Sequence, residues 1–331
     1  MAKVKRRMSL LTICLPVQAE LKDVEVALAR STTSEVELVS SAAQYVLANG
    51  GKRVRPALLL LTAKMLGVQS SKAISLAAAI EMIHAASLMH DDVLDNASLR
   101  RGKPSANVKW GNQISILVGD FLWCRASEIA IKDGNSKILS SITSAVKETT
   151  EGEILEMVRS SDFNLSEEEY LKIIKLKTAM LFSCACHVGA LLASASERSG
   201  ETMRSFGLNL GIAFQLADDV LDYNSKEEKI GKKTGTDLCE GRLTLPIILA
   251  LKRCKPEEIG VIKEALVANT LDAGAFSAVK DVIERYQTDA SALEIARNFA
   301  ARAKEEIVHF KPSLERDALM AIADYSVSRG E

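Results

Sequence analysis

The stretch SKAISLAAAIEMIHAASLMHDDVLDNAS, residues 71–98, predicts one long helix that ends in a cluster of aspartates. Apart from three polar residues, the part from Leu76 to Leu88 is apolar or small. A helix that is apolar on all sides is typical of a protein interior. We therefore place this helix at the centre of the fold.

Helical periodicity continues through most of the remaining chain. No alternating stretch indicates a strand, and no linker rich in Pro, Gly or Ser divides the chain. We predict an all-α fold with one domain over residues 21–331, after a flexible basic leader and helix start at residues 1–20. Besides the central helix, we predict helices at 34–49, 52–67, 111–131, 136–159, 167–195, 200–226 and 243–252, with shorter ones after 255.

The overall composition excludes several classes of protein. The net charge of −1 over 331 residues provides no basic field for nucleic acid. The six cysteines form no CxxC pair, which favours reduced thiols and a cytoplasmic location. No segment approaches the roughly twenty apolar residues that a membrane span needs, so we expect no transmembrane segment.

The letters DDVLD occur twice, at 91–95 and at 218–222, each time after a long apolar helix. Residues i and i+4 share one face of a helix, so the outer aspartates of each motif converge and the middle one flanks them. Such an array of oxygen ligands suits Mg²⁺, whereas zinc would require His or Cys at ligand spacing. The six aspartates are Asp91, Asp92, Asp95, Asp218, Asp219 and Asp222.

Basic residues border both acid motifs, which suggests that a polyanion is bound partly through metal and partly directly. One cluster opens a helix after Gly50 and Gly51, a favourable position for an anion. The basic residues concerned are Lys52, Arg53, Arg55, Arg100, Arg101, Lys177, Lys232, Lys233 and Arg242.

Four stretches resemble the trans-prenyltransferases, the all-α isoprenyl diphosphate synthases. They occur in the family's order, and the resemblance extends over roughly residues 40–330. It implies a bundle of about ten or more helices around a central cavity. The stretches are GGKRVRP (50–56), EMIHAASLMHDDVLDNASLRRGKPS (81–105), KTA (177–179) and GIAFQLADDVLDYNSKEEKIGKKTGTDLCEGRLTLP (211–246).

The resemblance implies condensation of isopentenyl diphosphate with an allylic diphosphate, head to tail. The six aspartates would hold several Mg²⁺ ions on the allylic diphosphate, which Arg100, Lys177 and Lys232 would touch directly. Thr178 and Gln215 would line the reaction centre. The diphosphate of the second substrate would be bound by Lys52, Arg55, His84 and Arg101.

One position departs from the family's pattern. The loop after the second motif commonly carries a lysine where this chain has Arg242. The charge is kept, but a flexible point charge becomes a planar fork. Apart from this change, residues 223–241 resemble a lid that closes over bound diphosphate.

The length of the product depends on the residues ahead of Asp91 on the tail side of the family's pocket. Short-chain relatives tend to place a bulky aromatic where this chain has Ala86 and Ser87. Ile83, one turn deeper, is not aromatic either, although it could narrow the passage. One helical turn of about 5.4 Å is comparable to one isoprene unit. We therefore expect a long-chain polyprenyl diphosphate, such as a quinone side-chain precursor.

Other functions remain open at this point. A medium-chain farnesyl or geranylgeranyl diphosphate synthase would share every motif. A non-catalytic subunit of a heteromeric synthase would be favoured by loss of one acid motif, yet both are present. A terpene cyclase would favour an aromatic-lined pocket, yet only 5% of the residues are aromatic. We further expect a homodimer and a peripheral hand-off of the lipid product to a membrane.

Overall fold

The computed structural model describes residues 9–224, 235–267 and 273–329, and within these it is almost entirely helical, which confirms the all-α prediction. Lys232, Lys233 and most of the predicted lid lie outside the described residues. The helices are α1 (Leu10–Ile13), α2 (Gln18–Ser31), α3 (Glu37–Ala48), α4 (Val54–Met65), α5 (Ser71–Leu94), α6 (Ala106–Trp110), α7 (Asn112–Asp133), α8 (Ser136–Arg159), α9 (Glu167–Ile174), α10 (Met180–Leu192), α11 (Glu197–Asn224), α12 (Thr236–Cys239), α13 (Leu245–Arg253), α14 (Pro256–Val267), α15 (Ala273–Arg285), α16 (Thr288–Ile307) and α17 (Leu314–Ser328).

Helix α5 lies in the interior, as its composition predicts. It begins after Ser70, whose hydroxyl accepts a hydrogen bond from the Ala73 amide. Its residues are buried on every face from Leu76 to Ile83, and one face stays buried from there to Asp92. The helix packs against α2, α4, α7 and α10, so no side of it is left to solvent along most of its length.

A second hydrophobic cluster lies in the C-terminal half of the chain, between α9, α11, α13 and α16. Phe299 and Val327 pack against both this cluster and the one around α5. Helix α11 contacts α10 on one side and α16 on the other. Helix α10 also packs against α5, so it contacts both helices that end in the acid motifs.

A two-stranded hairpin follows the first acid motif, where no strand is expected from the sequence. Leu99–Arg100 pairs antiparallel with Lys103–Pro104. The turn between the strands places Arg101 at φ 53° and Gly102 at φ 75°. Two successive positive φ angles are typical of a tight hairpin turn, and Gly102 accepts the second of them without steric cost. The turn projects Arg100 and Arg101 from a fixed backbone.

The helix predicted over 167–195 is interrupted by a π-helical turn at Lys175–Ala179. Two glycines on neighbouring helices allow the wider turn to fit. A Cβ on Gly152 would lie 2.4 Å from the Lys177 amide nitrogen, and a Cβ on Gly211 would lie 2.5 Å from the Ala179 Cα. Single π turns are frequent at functional sites. This one carries Lys177 and Thr178.

The expectation about membrane spans needs one correction. Helix α5 and the segment Glu167–Leu192 both reach the length and hydropathy of a span. However, 67% and 72% of their most apolar windows are buried inside the protein. They are core helices of this bundle. All six cysteines are free thiols, as their spacing predicts.

Candidate active site

The first acid motif ends α5 and is surrounded by charged groups from three other elements. Asp92 is buried and accepts a hydrogen bond from the Arg100 Nε at 2.6 Å, so the hairpin closes over it. Burial and the nearby Glu153 carboxylate raise the pKa of Asp91 to about 7. The positive charge near Asp91 therefore does not offset its burial and the neighbouring acids.

The second acid motif ends α11 and is held by a different set of partners. Asp219 is buried, and burial raises its pKa well above the usual range. Two side chains donate hydrogen bonds to its oxygens: the Tyr170 hydroxyl, and the Gln215 amide at 2.7 Å. The Asp222 carboxylate accepts a hydrogen bond from the Asp237 amide at 3.1 Å.

Arg242 links the two motifs. Its Nη2 lies 2.7 Å from Asp95, and its Nη1 lies 3.0 Å from Glu240 and 3.8 Å from Asp237, whose amide is bonded to Asp222. Burial alone would lower the pKa of Arg242, but Glu156 and the other carboxylates outweigh it and raise the pKa. A planar guanidinium can reach several carboxylates at once, which a lysine ammonium cannot do with the same geometry.

The π turn supplies a second connection, between α8 beside the first motif and Asp219 of the second. Lys177 lies 2.8 Å from Glu153 and also contacts Glu156, both on α8. The neighbouring Thr178 donates a hydrogen bond to Gln215 at 2.9 Å, and Gln215 in turn holds Asp219. The predicted site residues Lys177, Thr178 and Gln215 are thus brought together.

A separate basic cluster lies beside the first motif, around His84. Burial and the nearby Arg55, Arg101 and Arg100 lower the pKa of His84 well below its usual value, so the imidazole is neutral. Arg55 is stacked on the Phe182 ring, with its Cζ 4.6 Å from the ring centre. Among the described residues no atom accepts a hydrogen bond from its Nε. A buried guanidinium with an unused donor is suited to an anionic ligand.

Arg53, part of the same run, has a structural role. It makes ion pairs with Glu25 at 2.6 Å and with Glu81 at 2.8 Å and donates to the Leu47 carbonyl. Its backbone is left-handed, with φ 47°, at the residue before α4. These contacts fix the start of α4, on which Arg55 lies.

Helix α17 and Arg329, the residue directly after it, contribute side chains that the sequence did not indicate. Arg329 donates to the Asp218 carboxylate at 3.2 Å and to the Phe214 carbonyl at 2.9 Å, and it lies over the Phe214 ring. Lys52 lies 5.6 Å from the centre of the Tyr325 ring. One turn of α17 therefore contacts both the second acid motif and the basic cluster.

Four side chains at the site have little or no signal in the sequence: Glu153, Glu156, Tyr170 and Arg329. Glu153 and Glu156 lie on an otherwise ordinary amphipathic helix, where acidic residues usually face solvent. Tyr170 lies seven residues before Lys177, so two helical turns could have placed it on the same face. Arg329 has no local signal at all.

The residues predicted to set product length lie on α5. Ala86 and Ile83 are buried, while Ser87 is partly exposed one turn before Asp91 and donates to the His84 carbonyl. Ser87 and Asp91 share a face, because they are four residues apart.

The donor set fits Mg²⁺ in chemistry, since every candidate ligand in the two motifs is a carboxylate oxygen. In the described residues, no three His, Cys, Asp or Glu groups already converge on one ligand position. Arg100, Arg242 and Arg329 hold oxygens of Asp92, Asp95 and Asp218 instead. Bound metal ions would therefore replace these arginine side chains as the cations that neutralise the three carboxylates.

Comparison with known proteins agrees with this geometry. The chain is 37% identical to a polyprenyl synthase from Caulobacter crescentus CB15, crystallised with calcium and isoprenyl diphosphate, and superposes with a TM-score of 0.94 over 99% of this chain and 100% of that one. It is 35% identical to octaprenyl diphosphate synthase of Escherichia coli (strain K12), over 94% of this chain and 96% of that protein. It is also 34% identical to a short chain isoprenyl diphosphate synthase of Methanothermobacter thermautotrophicus, over 91% and 94%.

The fold is therefore that of the all-α isoprenyl synthases. The sequence profile named polyprenyl synthetase matches residues 36–283, and the chain belongs to this family.

Proposed function

We propose that the protein is a Mg²⁺-dependent trans-prenyltransferase that condenses isopentenyl diphosphate with an allylic diphosphate and builds a linear, long-chain, all-trans polyprenyl diphosphate. The observation that carries this proposal is the joining of the two acid motifs through Arg242, which contacts Asp95 directly and reaches Asp222 through Asp237. A non-catalytic subunit would have no need of both motifs with their supporting contacts.

Ionisation of the allylic C–O bond leaves a carbocation and drives negative charge onto the departing pyrophosphate. When bound at Asp91, Asp92, Asp95, Asp218, Asp219 and Asp222, Mg²⁺ would supply Lewis-acid stabilisation of that charge. Arg100 and Lys177 lie at the same end of α5 as the first motif, paired with acids that a diphosphate would replace. Fixed cations of this kind lower the barrier without reorganisation during the reaction.

The second diphosphate would bind at the basic cluster. Lys52, Arg55 and Arg101 provide positive charge there, and the neutral His84 can donate a hydrogen bond to a phosphate oxygen without a second buried charge. This cluster adjoins the metal-binding end of α5 through the hairpin residues Arg100 and Arg101. Two diphosphates would thus lie on opposite sides of the same helix end, with their reactive carbons between them.

The long-chain assignment rests on Ala86 and Ser87. Neither side chain is large enough to close a passage along α5 at one turn from Asp91. Similarity alone does not separate the alternatives, because octaprenyl and short-chain synthases are almost equally identical to this chain. A medium-chain product is the alternative. It would require a side chain deeper along α5, at Ile83 or beyond, that blocks further growth of the tail.

The test is an assay of the purified chain with isopentenyl diphosphate and farnesyl diphosphate in the presence of Mg²⁺. We expect turnover without a partner subunit and products longer than four isoprene units after dephosphorylation and chromatography. Absence of turnover by the chain alone, with activity restored by a second subunit, would contradict the proposal.

Tyr170→Phe is expected to weaken the response to Mg²⁺ by about ten- to a hundredfold, in affinity or activity. The hydroxyl donates to Asp219, and its loss raises the pKa of that buried carboxyl further, so the form that binds metal is less populated. The Mg²⁺ concentration for half-maximal activity and the Mg²⁺-dependent shift in Tm would report this. Tyr286→Phe, which removes a hydroxyl bound to Glu258 away from the site, is the matched control. An unchanged Mg²⁺ response in Tyr170→Phe would remove this role.

We expect the protein to be a homodimer. Helix α7 exposes Ile116, Leu117 and Trp123 on its surface, and a second copy would cover these apolar groups. Light scattering at micromolar concentration should give twice the chain mass, and Leu117→Glu should shift the mass toward that of the monomer. A monomeric mass for the fully active wild type would refute the expectation.

A further inference from the structure

The hairpin that carries Arg100 and Arg101 has little packing of its own. Every residue from 99 to 104 except Arg100 is exposed, and Leu99 is 58% exposed. A small cavity between the hairpin, α3 and α5 is lined by Leu88, Arg100 and Arg101, among others. A two-stranded hairpin without a hydrophobic face is not stable by itself. Contacts from other elements must therefore fix the position of these two arginines.

The two arginines are held in different ways. Arg100 donates from its Nε to Asp92 at 2.6 Å. No residue in the described ranges forms a hydrogen bond or an ion pair with the Arg101 guanidinium. This guanidinium lies beside the start of the basic cluster, since a Cβ on Gly51 would lie 3.4 Å from its Nη1. The direction of the Arg101 side chain therefore depends on the backbone of the turn, where its φ is 53°.

Two hydrogen bonds close the base of the hairpin without reaching beyond its own loop. The Ser105 amide donates to the Ser98 carbonyl at 3.2 Å, and the Ser105 hydroxyl donates to the Ala97 carbonyl at 2.5 Å. A third bond ties the hairpin to another helix. The Tyr45 hydroxyl, on the last turn of α3, donates to the Pro104 carbonyl at 2.8 Å. Pro104 ends the second strand, so this bond fixes the hairpin relative to α3.

The Tyr45 ring is itself held by the last two residues of α6. Trp110 meets it edge to face, with ring centres 5.1 Å apart, and packs against the hydrophobic cluster around α5. The Lys109 ammonium lies 4.2 Å from the centre of the Tyr45 ring and 4.4 Å from that of Trp110. A cation at this distance is attracted to both rings. We call Tyr45, Lys109 and Trp110 the aromatic clamp, and it directs the Tyr45 hydroxyl to the hairpin.

We infer that the aromatic clamp positions Arg101 for the diphosphate of isopentenyl diphosphate. Through Pro104 the clamp sets where the turn lies over the basic cluster, so its side chains act without touching the ligand. The allylic diphosphate depends on the clamp much less, because Arg100 is also held by Asp92 and because metal ions and Lys177 would contribute there. The clamp thus favours one substrate of the two, an assignment that rests on the proposed function.

The test is a calorimetric titration of the full-length protein with isopentenyl diphosphate in the presence of EDTA, where no turnover occurs. Tyr45→Phe removes the bond to Pro104 but keeps the ring and every charge, and it should raise Kd about three- to tenfold. Lys109→Met removes the cation between the rings and should raise Kd about two- to fivefold. Lys109→Arg should restore most of the affinity, because a guanidinium also stacks on aromatic rings.

Steady-state kinetics separate positioning from a general loss of structure. In Tyr45→Phe and Lys109→Met, KM for isopentenyl diphosphate should rise by the same factors as Kd. KM for farnesyl diphosphate and kcat at saturating substrates should stay near their wild-type values, because the metal-binding end of α5 is unchanged. A variant that only loosened the fold would weaken the binding of both substrates alike and lower Tm.

Two matched controls make the same chemical changes away from the hairpin. Tyr286→Phe removes a hydrogen-bonded hydroxyl, and Lys263→Met removes an ammonium 5.0 Å from the centre of the Phe163 ring. Both should bind isopentenyl diphosphate as the wild type does. Wild-type affinity in both clamp variants, or an equal loss for both substrates, would overturn the inference and leave the proposed function standing. Failure of the wild type to bind isopentenyl diphosphate would overturn the proposed second diphosphate site together with the inference.

Discussion

Asp91→Ala and Asp218→Ala are each expected to lower kcat by about three orders of magnitude or more. Each substitution removes one outer carboxylate of a motif and with it part of the metal stabilisation of the leaving pyrophosphate, which amounts to several kcal/mol. In the Asp218 variant the guanidinium of Arg329 also loses its partner. Steady-state kinetics at saturating Mg²⁺ and substrates would measure the effect.

The control for these variants is Asp281→Ala, which removes an exposed carboxylate on α15. It should retain wild-type kcat and Tm. Isothermal titration should show that the Asp91 and Asp218 variants bind less Mg²⁺ in the presence of a diphosphate. Near wild-type turnover by either variant would remove the two-motif mechanism, whatever the Tm.

Ala86→Phe and Ser87→Phe are each expected to shorten the product to two to four isoprene units. The ring would stand beneath the growing tail, about one turn from Asp91, while the diphosphate sites remain unchanged. The first condensations should therefore continue at a normal rate and elongation should stop early. Chromatography of the dephosphorylated products would measure chain length directly.

Packing decides how well each variant folds. Overpacking a formed core costs about 1–3 kcal/mol, and Ala86 is buried, whereas the partly exposed Ser87 should accept a ring at less cost. Ala301→Phe, on an exposed position of α16, adds the same ring away from the site and should leave both length and Tm unchanged. Wild-type products at a normal rate from both variants would show that the tail does not pass this turn.

The two acid motifs show which part of the site can be predicted from short stretches of sequence. Each motif can be recognised within a single helix, because residues i and i+4 share one face. The outer carboxylates therefore lie together wherever the helix packs. Their partners are not local. Arg242 is 147 residues from Asp95, and Arg329 is 111 residues from Asp218, so no pattern in either segment predicts the pairing.

The interrupted helix over 167–192 gives a second case. Its apolar periodicity predicts a continuous helix, and the segments on both sides of the break are indeed helical. The π turn at Lys175–Ala179 depends on space beside it, which Gly152 and Gly211 provide from two other helices. The hairpin at 99–104 is similar, since its strands are too short to show alternation.

The sequence by itself determined the all-α class, the central position of α5, the two acid motifs and the basic residues near them. These follow from helical periodicity and from charge at fixed spacing, which act within a few turns of one helix. The tertiary structure alone decided which cation holds which carboxylate, how Tyr170 and α17 reach the site, and which apolar residues stay exposed. Those features depend on how helices distant in sequence pack, and the energy of an ion pair or of a buried side chain depends on that packing.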